Sequence, residues 1–165
     1  MATRYLQGTR FNDLIKARND GATHFIKGYS GDDVLIGGIG NDYLDGGDDD
    51  DILDGRDGMD VLAGGRGNDR LDGGKGFDKA IFGNANNRID LRNTRAQNTG
   101  EGVDTLINIE AVHGGGGKDL IIGNALDNLL EGGSDDDKLY GLDGNDRLDG
   151  DNGDDRLYGG VGQDV

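Results

Sequence analysis

From Leu35 to Leu71, and again from Ile121 to Leu157, a large aliphatic residue recurs at every ninth position. In nines the chain reads GYSGDDVLI, GGIGNDYLD, GGDDDDILD, GRDGMDVLA, GGRGNDRLD and GGKGFDKAI, six units without a gap. A second block starts at 114 with GGGGKDLII, GNALDNLLE, GGSDDDKLY, GLDGNDRLD and GDNGDDRLY, and a partial GGVGQDV ends it. Positions 1 to 6 of each unit predict a turn, because glycine reaches positive φ without steric cost and Asp or Asn tolerate it next best. Positions 7 to 9 predict a short strand in which only position 8 faces inward, since successive side chains alternate. One residue per unit then builds the core. Leu35, Leu44, Leu53, Leu62 and Leu71 in the first block and Ile121, Leu130, Leu139, Leu148 and Leu157 in the second form a thin aliphatic ladder between two sheets.

Three columns hold over the twelve units. Position 1 is always glycine, position 6 is aspartate except at Asn128, and position 8 is Leu, Ile or, once, Ala80. Asp-Gly and Asn-Asp turns alone could explain single aspartates, but not a column of this length. The repeat resembles the RTX (repeats in toxin, hemolysin-type) calcium-binding nonapeptide family, whose consensus is G-G-x-G-x-D-x-U-x. "GEGVDTLINIEAVHG" (100 to 114) is also similar to the stretch that joins repeat blocks in that family. The resemblance implies an all-β, right-handed parallel β-roll (β-helix) of 18 residues per coil with Ca²⁺ stacked between turns.

Composition alone points the other way. With 34 glycines, no proline, no tryptophan, 33% apolar residues and a formal charge of −16, the 165-residue chain is close to those that cannot offset ordering entropy by burial. A chain so acidic is a poor partner for nucleic acid or anionic membranes and a good one for cations. In coils of 18 residues, position-6 carboxylates on one edge lie about 5 Å apart and repel by roughly 3 kcal/mol per pair at an effective dielectric near 20. A hard divalent cation with six to eight oxygen ligands reverses that sign. Calcium suits Asp carboxylates and turn carbonyls better than magnesium does, and zinc would want a cluster of His and Cys, where this chain has two separate histidines and no cysteine.

The expected carboxylate ligands are Asp33, Asp42, Asp51, Asp60, Asp69 and Asp78, then Asp119, Asp137, Asp146, Asp155 and Asp164. Turn carbonyls would come from Gly28, Gly37, Gly46, Gly55, Gly64 and Gly73, and from Gly114, Gly123, Gly132, Gly141, Gly150 and Gly159. Asn128 and Asp104 are added as further candidates. Pairing units 18 apart gives about eight sites: 28 with 46, 46 with 64, 37 with 55, 55 with 73, 114 with 132, 132 with 150, 123 with 141 and 141 with 159. The pair at Asn128 is expected to be weaker for want of a charge, and that at 141/159 to fray.

Residues 1–27 read as degenerate capping repeats, with His24 in the aspartate column and apolar Phe11, Ile15, Phe25 and Ile26 in place of metal. Residues 28–81 form the first block, 82–113 the linking strands and loop, and 114–165 the second block, truncated in mid-repeat. A loop within 83–101 should absorb the misfit between blocks, with "RIDL" and "DTLINIEAV" as strands of enlarged coils and Glu110 bonding locally. Asp48, Asp50, Asp54, Asp72 and Asp149 read as solvated outer residues; Asp49 and Asp135 stand at the position-4 glycine's place. Arg70, Lys79, Lys138, Arg147 and Arg156 point outward. Tyr140 and Tyr158 should be neighbours on one outer face, as a cross-strand pair or a sugar platform. Neither His24 nor His113 suggests chemistry, and no phosphate loop, HExxH, GxSxG or EF-hand motif is present.

No signal peptide or membrane-spanning run appears. The reading is therefore a non-enzymatic calcium-binding module that folds on meeting Ca²⁺ after secretion. It is expected to be extracellular and a stabilising part of a larger polypeptide, an excised domain given the mid-repeat stop; the resemblance implies export by a signal-peptide-independent one-step exporter. The alternative is a surface-binding module whose partner is a cell-surface polysaccharide.

Overall fold

The computed structural model describes residues 3–165, and every regular element in them is a β-strand. The first part holds β1 (Thr3–Gln7), β2 (Leu14–Lys16), β3 (Thr23–Ser30), β4 (Val34–Ile36), β5 (Tyr43–Asp48), β6 (Ile52–Asp57), β7 (Val61–Arg66), β8 (Arg70–Lys75) and β9 (Lys79–Ile81). The middle adds β10 (Arg88–Asp90), β11 (Gln97–Asn98) and β12 (Val103–Ile107). There follow β13 (Ala111–Gly116), β14 (Leu120–Ile122), β15 (Leu129–Ser134), β16 (Lys138–Asp143), β17 (Arg147–Asn152) and β18 (Arg156–Val161).

The chain winds as a parallel solenoid of about nine turns. One face is an eight-stranded sheet in the order β1-β3-β5-β7-β9-β13-β15-β17. The other carries a six-stranded sheet, β11-β12-β8-β6-β4-β2, and a four-stranded one, β10-β14-β16-β18. Registers such as Leu44↔Leu62, Leu53↔Leu71 and Leu130↔Leu148 confirm the 18-residue coil. The first coil is two residues longer, pairing Ile15 with Leu35.

The expected turn is too long. Most strands run from position 7 through position 3 of the next unit, with Gly47↔Gly65 and Asp48↔Arg66 in the ladder. Only positions 4 to 6 turn, because positions 2 and 3 find backbone partners in the next coil. Coils meet closely there: Gly65 has φ +97°, and a Cβ would lie 2.0 Å from the Gly47 carbonyl oxygen.

The aliphatic ladder is buried as expected from Leu35 to Leu71 and from Ile121 to Leu148, and a single core joins both blocks through Ala80, Ile89, Leu106 and Val112. Leu157 is the exception at 45% exposed: it stacks on Leu139 but stands in the last coil, with no coil beyond it among the described residues. The cap also differs from expectation. Ile26 is buried and Ile15 packs on the core, but Phe11 is exposed and Phe25 lies on the outer face, stacked between Tyr5 and Tyr43 at 5.2 and 5.9 Å.

The middle segment is more ordered than a loop. "DTLINIEAV" is two strands, β12 and β13, on opposite faces, with Asn108–Glu110 as the turn between them. β12 continues from β8 (Leu106↔Leu71), whereas β10 joins β14 (Ile89↔Ile121). Two strands thus stand between β8 and β14, while on the other face β9 is followed directly by β13. The misfit is absorbed by an enlarged coil, as expected: this inserted strand and the turn-rich return over 91–102 stretch the repeat from 18 residues to 32 between Ala80 and Val112 and 35 between Leu71 and Leu106.

The outer faces are as the sequence suggests. Tyr140 and Tyr158 stack at 4.7 Å with ring planes 8° apart. Basic residues pair with outer acids, Arg70 with Asp72 at 2.8 Å, Arg147 with Asp149 at 3.7 Å and Lys79 with Glu131.

Candidate metal centres

The position-6 side chains form two columns, one along each edge. The first holds Asp13, Asp33, Asp51, Asp69 and Asp104, then Asn87, Asp119, Asp137 and Asp155. Within each of its two runs, Asp13 to Asp104 and Asn87 to Asp155, the Oδ1 of the next aspartate accepts the backbone N–H of the residue before it, as in Asp33 N to Asp51 Oδ1 at 2.8 Å, Asp51 N to Asp69 Oδ1 at 2.8 Å and Asp119 N to Asp137 Oδ1 at 2.7 Å; no such bond joins Asp104 to Asn87. The second edge holds His24, Asp42, Asp60 and Asp78, then Glu110, Asn128, Asp146 and Asp164, with Asp60 N to Asp78 Oδ1 at 2.7 Å and Asn128 N to Asp146 Oδ1 at 2.8 Å. The repeat places these side chains inward because position 6 ends the turn, one residue before the outward position 7.

The other carboxylate oxygen is the telling one. In Asp33, Asp51, Asp60, Asp69, Asp78, Asp119, Asp137 and Asp146 the Oδ2 atom is buried and has no hydrogen-bond partner. An unpaired buried carboxylate oxygen is costly, and native proteins leave such groups without a partner only where a counter-ion or a function accounts for it. Burial, the leading cause, pushes the Asp51, Asp60, Asp69 and Asp119 carboxyls up to about 7 and Asp78 to about 6, with neighbouring carboxylates adding to the shift.

Each unpaired oxygen looks onto the space left by a position-1 glycine. The point where a Gly28 Cβ would stand is 2.1 Å from Asp33 Oδ2 and 2.6 Å from the Gly46 carbonyl oxygen of the next coil. The same two kinds of oxygen converge at Gly46 (Asp51, Gly64), Gly55 (Asp60, Gly73), Gly114 (Asp119, Gly132) and Gly141 (Asp146, Gly159). All-oxygen cradles of buried carboxylate and carbonyl, repeated along an edge, suit a hard cation of calcium's size and suit zinc poorly.

At Gly37 and Gly123 the same convergence occurs, with Asp42 and Gly55 at one and Asn128 and Gly141 at the other, but there the side-chain oxygen is already engaged. Asp42 Oδ2 accepts the Gly38 N–H at 2.7 Å, and Asn128 Oδ1 accepts that of Asn124 at 2.8 Å. Asp104 takes its place in the column, receiving the Asp69 N–H at 2.8 Å, but its Oδ2 accepts the Thr99 hydroxyl. Asp155 and Asp164 are half-buried in the last coils, where no further glycine carbonyl faces them among the described residues. His24 lies buried with Nδ1 2.9 Å from Asp42 Oδ1 and is joined to the column through its backbone N–H as well.

Three features escaped the sequence reading. Glu110 does not bond locally: it accepts the Asp78 N–H at 3.0 Å, standing in the aspartate column at the end of a three-residue turn that its longer side chain spans. "TGEGVDTLI" (99–107) is a thirteenth unit, with Gly100, Gly102, Asp104 and Leu106 in register and Thr99 replacing the first glycine. The glycines at its positions 2 and 4 were the available signal. Position 5 forms a second ladder, in which Asp50 Oδ1 accepts the Asn68 N–H at 2.7 Å and Asn68 Oδ1 that of Val103 at 3.0 Å, so Asp50 is exposed yet engaged.

Comparison with known families agrees with this geometry. The family model described as the RTX calcium-binding nonapeptide repeat matches four times, over residues 27–62, 49–80, 112–130 and 131–165. No curated protein matches the chain.

Proposed function

Because the chain belongs to the RTX calcium-binding nonapeptide-repeat family, we propose that this calcium-binding β-roll is a folding switch: disordered without calcium, ordered when Ca²⁺ fills the cradles, and an exported part of a larger protein. The observation that carries this reading is the set of eight buried, unpaired Oδ2 atoms. In the roll they are the groups that most oppose folding, and the ion that relieves them is scarce in cytosol and abundant outside cells. Asp33, Asp51, Asp60, Asp119 and Asp146 hold the ion with carbonyls of the facing position-1 glycines, and Asp137 adds its unpaired oxygen beside Gly132. Calcium supplies the positive charge that lets these carboxylates approach, and metal-binding free energy becomes folding free energy.

The module stabilises and does not catalyse: among the described residues its acids line repeated edges, and the cavity beside Asp119 and Asp137 also holds Asp136 and Asp154, so it singles out no one acid as a general acid. The polysaccharide-platform reading gains nothing from the rings, because Tyr140 and Tyr158 turn their faces to each other. Calcium titration followed by circular dichroism, with a parallel stoichiometry measurement, tests the proposal. A strand spectrum that appears only as calcium is added is expected; an equally folded chain in chelator, or binding of fewer than about three ions against the six to eight oxygens each ion recruits, refutes it.

A further inference from the structure

We infer that the chain sorts its turns into calcium-binding and self-closed ones by what meets the second position-6 oxygen, so that the turns of Asp42 and Asn128 stay metal-free while two ions bind at the junction of the blocks, beside Asp69 and Asp78. This rests on the calcium reading above. The total remains eight, but its membership differs from that of regular pairing of the units.

The switch is the backbone at position 2. In the open turns it has positive φ, +87° at Tyr29, +80° at Arg56 and +84° at Leu142, and the carboxylate oxygen is left unpaired. In the closed turns φ at Gly38 and Asn124 lies outside that region, and the position-2 N–H fills the lone pair that a cation would otherwise take. Five of the eight open turns have glycine at position 2, as backbone preference favours, but Gly38 is closed while Tyr29, Arg56 and Leu142 are open, so residue type alone does not set the torsion. Non-glycine residues persist at positive φ where their surroundings over-determine them, and a bound ion coordinated by the turn does that.

At the junction, Asp78 Oδ2 and the carbonyl oxygen of Asn108 lie 2.6 and 2.3 Å from the missing Gly73 Cβ, so Asn108 stands in for the usual glycine carbonyl. Asp69 Oδ2 is likewise buried and unpaired, 2.4 Å from the Gly64 Cβ point, with its backbone N–H on Asp104. These two ions would tie β8 to β12 and the first block to the linker. The Thr99 hydroxyl closes the thirteenth unit as an N–H closes the turns of Asp42 and Asn128.

Calcium stoichiometry by equilibrium dialysis of the full chain distinguishes the two arrangements. Asp69→Asn and Asp78→Asn should each lose one ion relative to the parent, as Asp51→Asn does, while Asp42→Asn keeps the full number, since Asn128 shows that an amide serves a closed turn. Loss of an ion in Asp42→Asn, or none in Asp69→Asn and Asp78→Asn, overturns the assignment. Should a junction variant fail to fold, amide exchange in the calcium-loaded parent decides: slowed exchange at Gly38 and Asn124 supports closed turns, and fast exchange at both overturns them. A parent chain that binds no calcium would instead sink the reading on which the inference rests.

Discussion

Leu62 lies fully buried on β7, stacked between Leu44 and Ala80. Leu62→Ala leaves two successive alanines in a core one residue wide, where little can collapse into the gap, so a cost of about 3 kcal/mol is expected, within the range for buried Leu→Ala changes. If folding and binding are one step, more calcium can offset that loss, because each ion taken up contributes RT ln of its concentration ratio. With eight ions the midpoint of folding rises by only about twofold, whereas with one it would rise by about 160-fold for the same 3 kcal/mol. The assay is far-ultraviolet circular dichroism against free calcium at constant ionic strength and pH 7.5, parent beside variant. A shift of roughly tenfold or more would mean that no more than about two ions enter with folding. An unmoved midpoint would show that Leu62 is not in the folded core. Either result refutes the coupling.

In chelator, acid should favour the fold. The Asp51, Asp60, Asp69 and Asp119 carboxyls are raised to about 7, so stability from their protonation is fully present below the unfolded value near 4 and is lost as pH rises through about 7. Strand signal in chelator should therefore grow from pH 8 to pH 5, while the calcium midpoint rises over the same span because protons compete for the ligands; the same trend with and without calcium would contradict this. Gly65→Ala should raise the calcium midpoint several times more than Gly21→Ala. Both sites have positive φ, but a Cβ at 65 meets a carbonyl oxygen at 2.0 Å and one at 21 meets nothing within 4 Å; equal shifts would show that the coils are not this closely stacked.

Sequence determined the coil, the inward ladder and the position-6 column, since a nine-residue period admits one inward aliphatic residue and one turn per unit, and stacking follows from repetition. It also determined the outer neighbours Tyr140 and Tyr158, which stand 18 apart. The linker was legible only in part. Thr99 hid a full unit by occupying the one column that had seemed invariant, and Glu110 reached the aspartate column from a three-residue turn that no period of nine reveals. What tertiary structure alone decided is which turns are open to a cation. GGIGND and GGRGND differ only at position 3, yet Asp42 accepts the Gly38 N–H while Asp69 has a free oxygen. The fate of that oxygen is set by the backbone torsion at position 2, and in a stacked coil that torsion answers to the coils above and below more than to the residue that carries it.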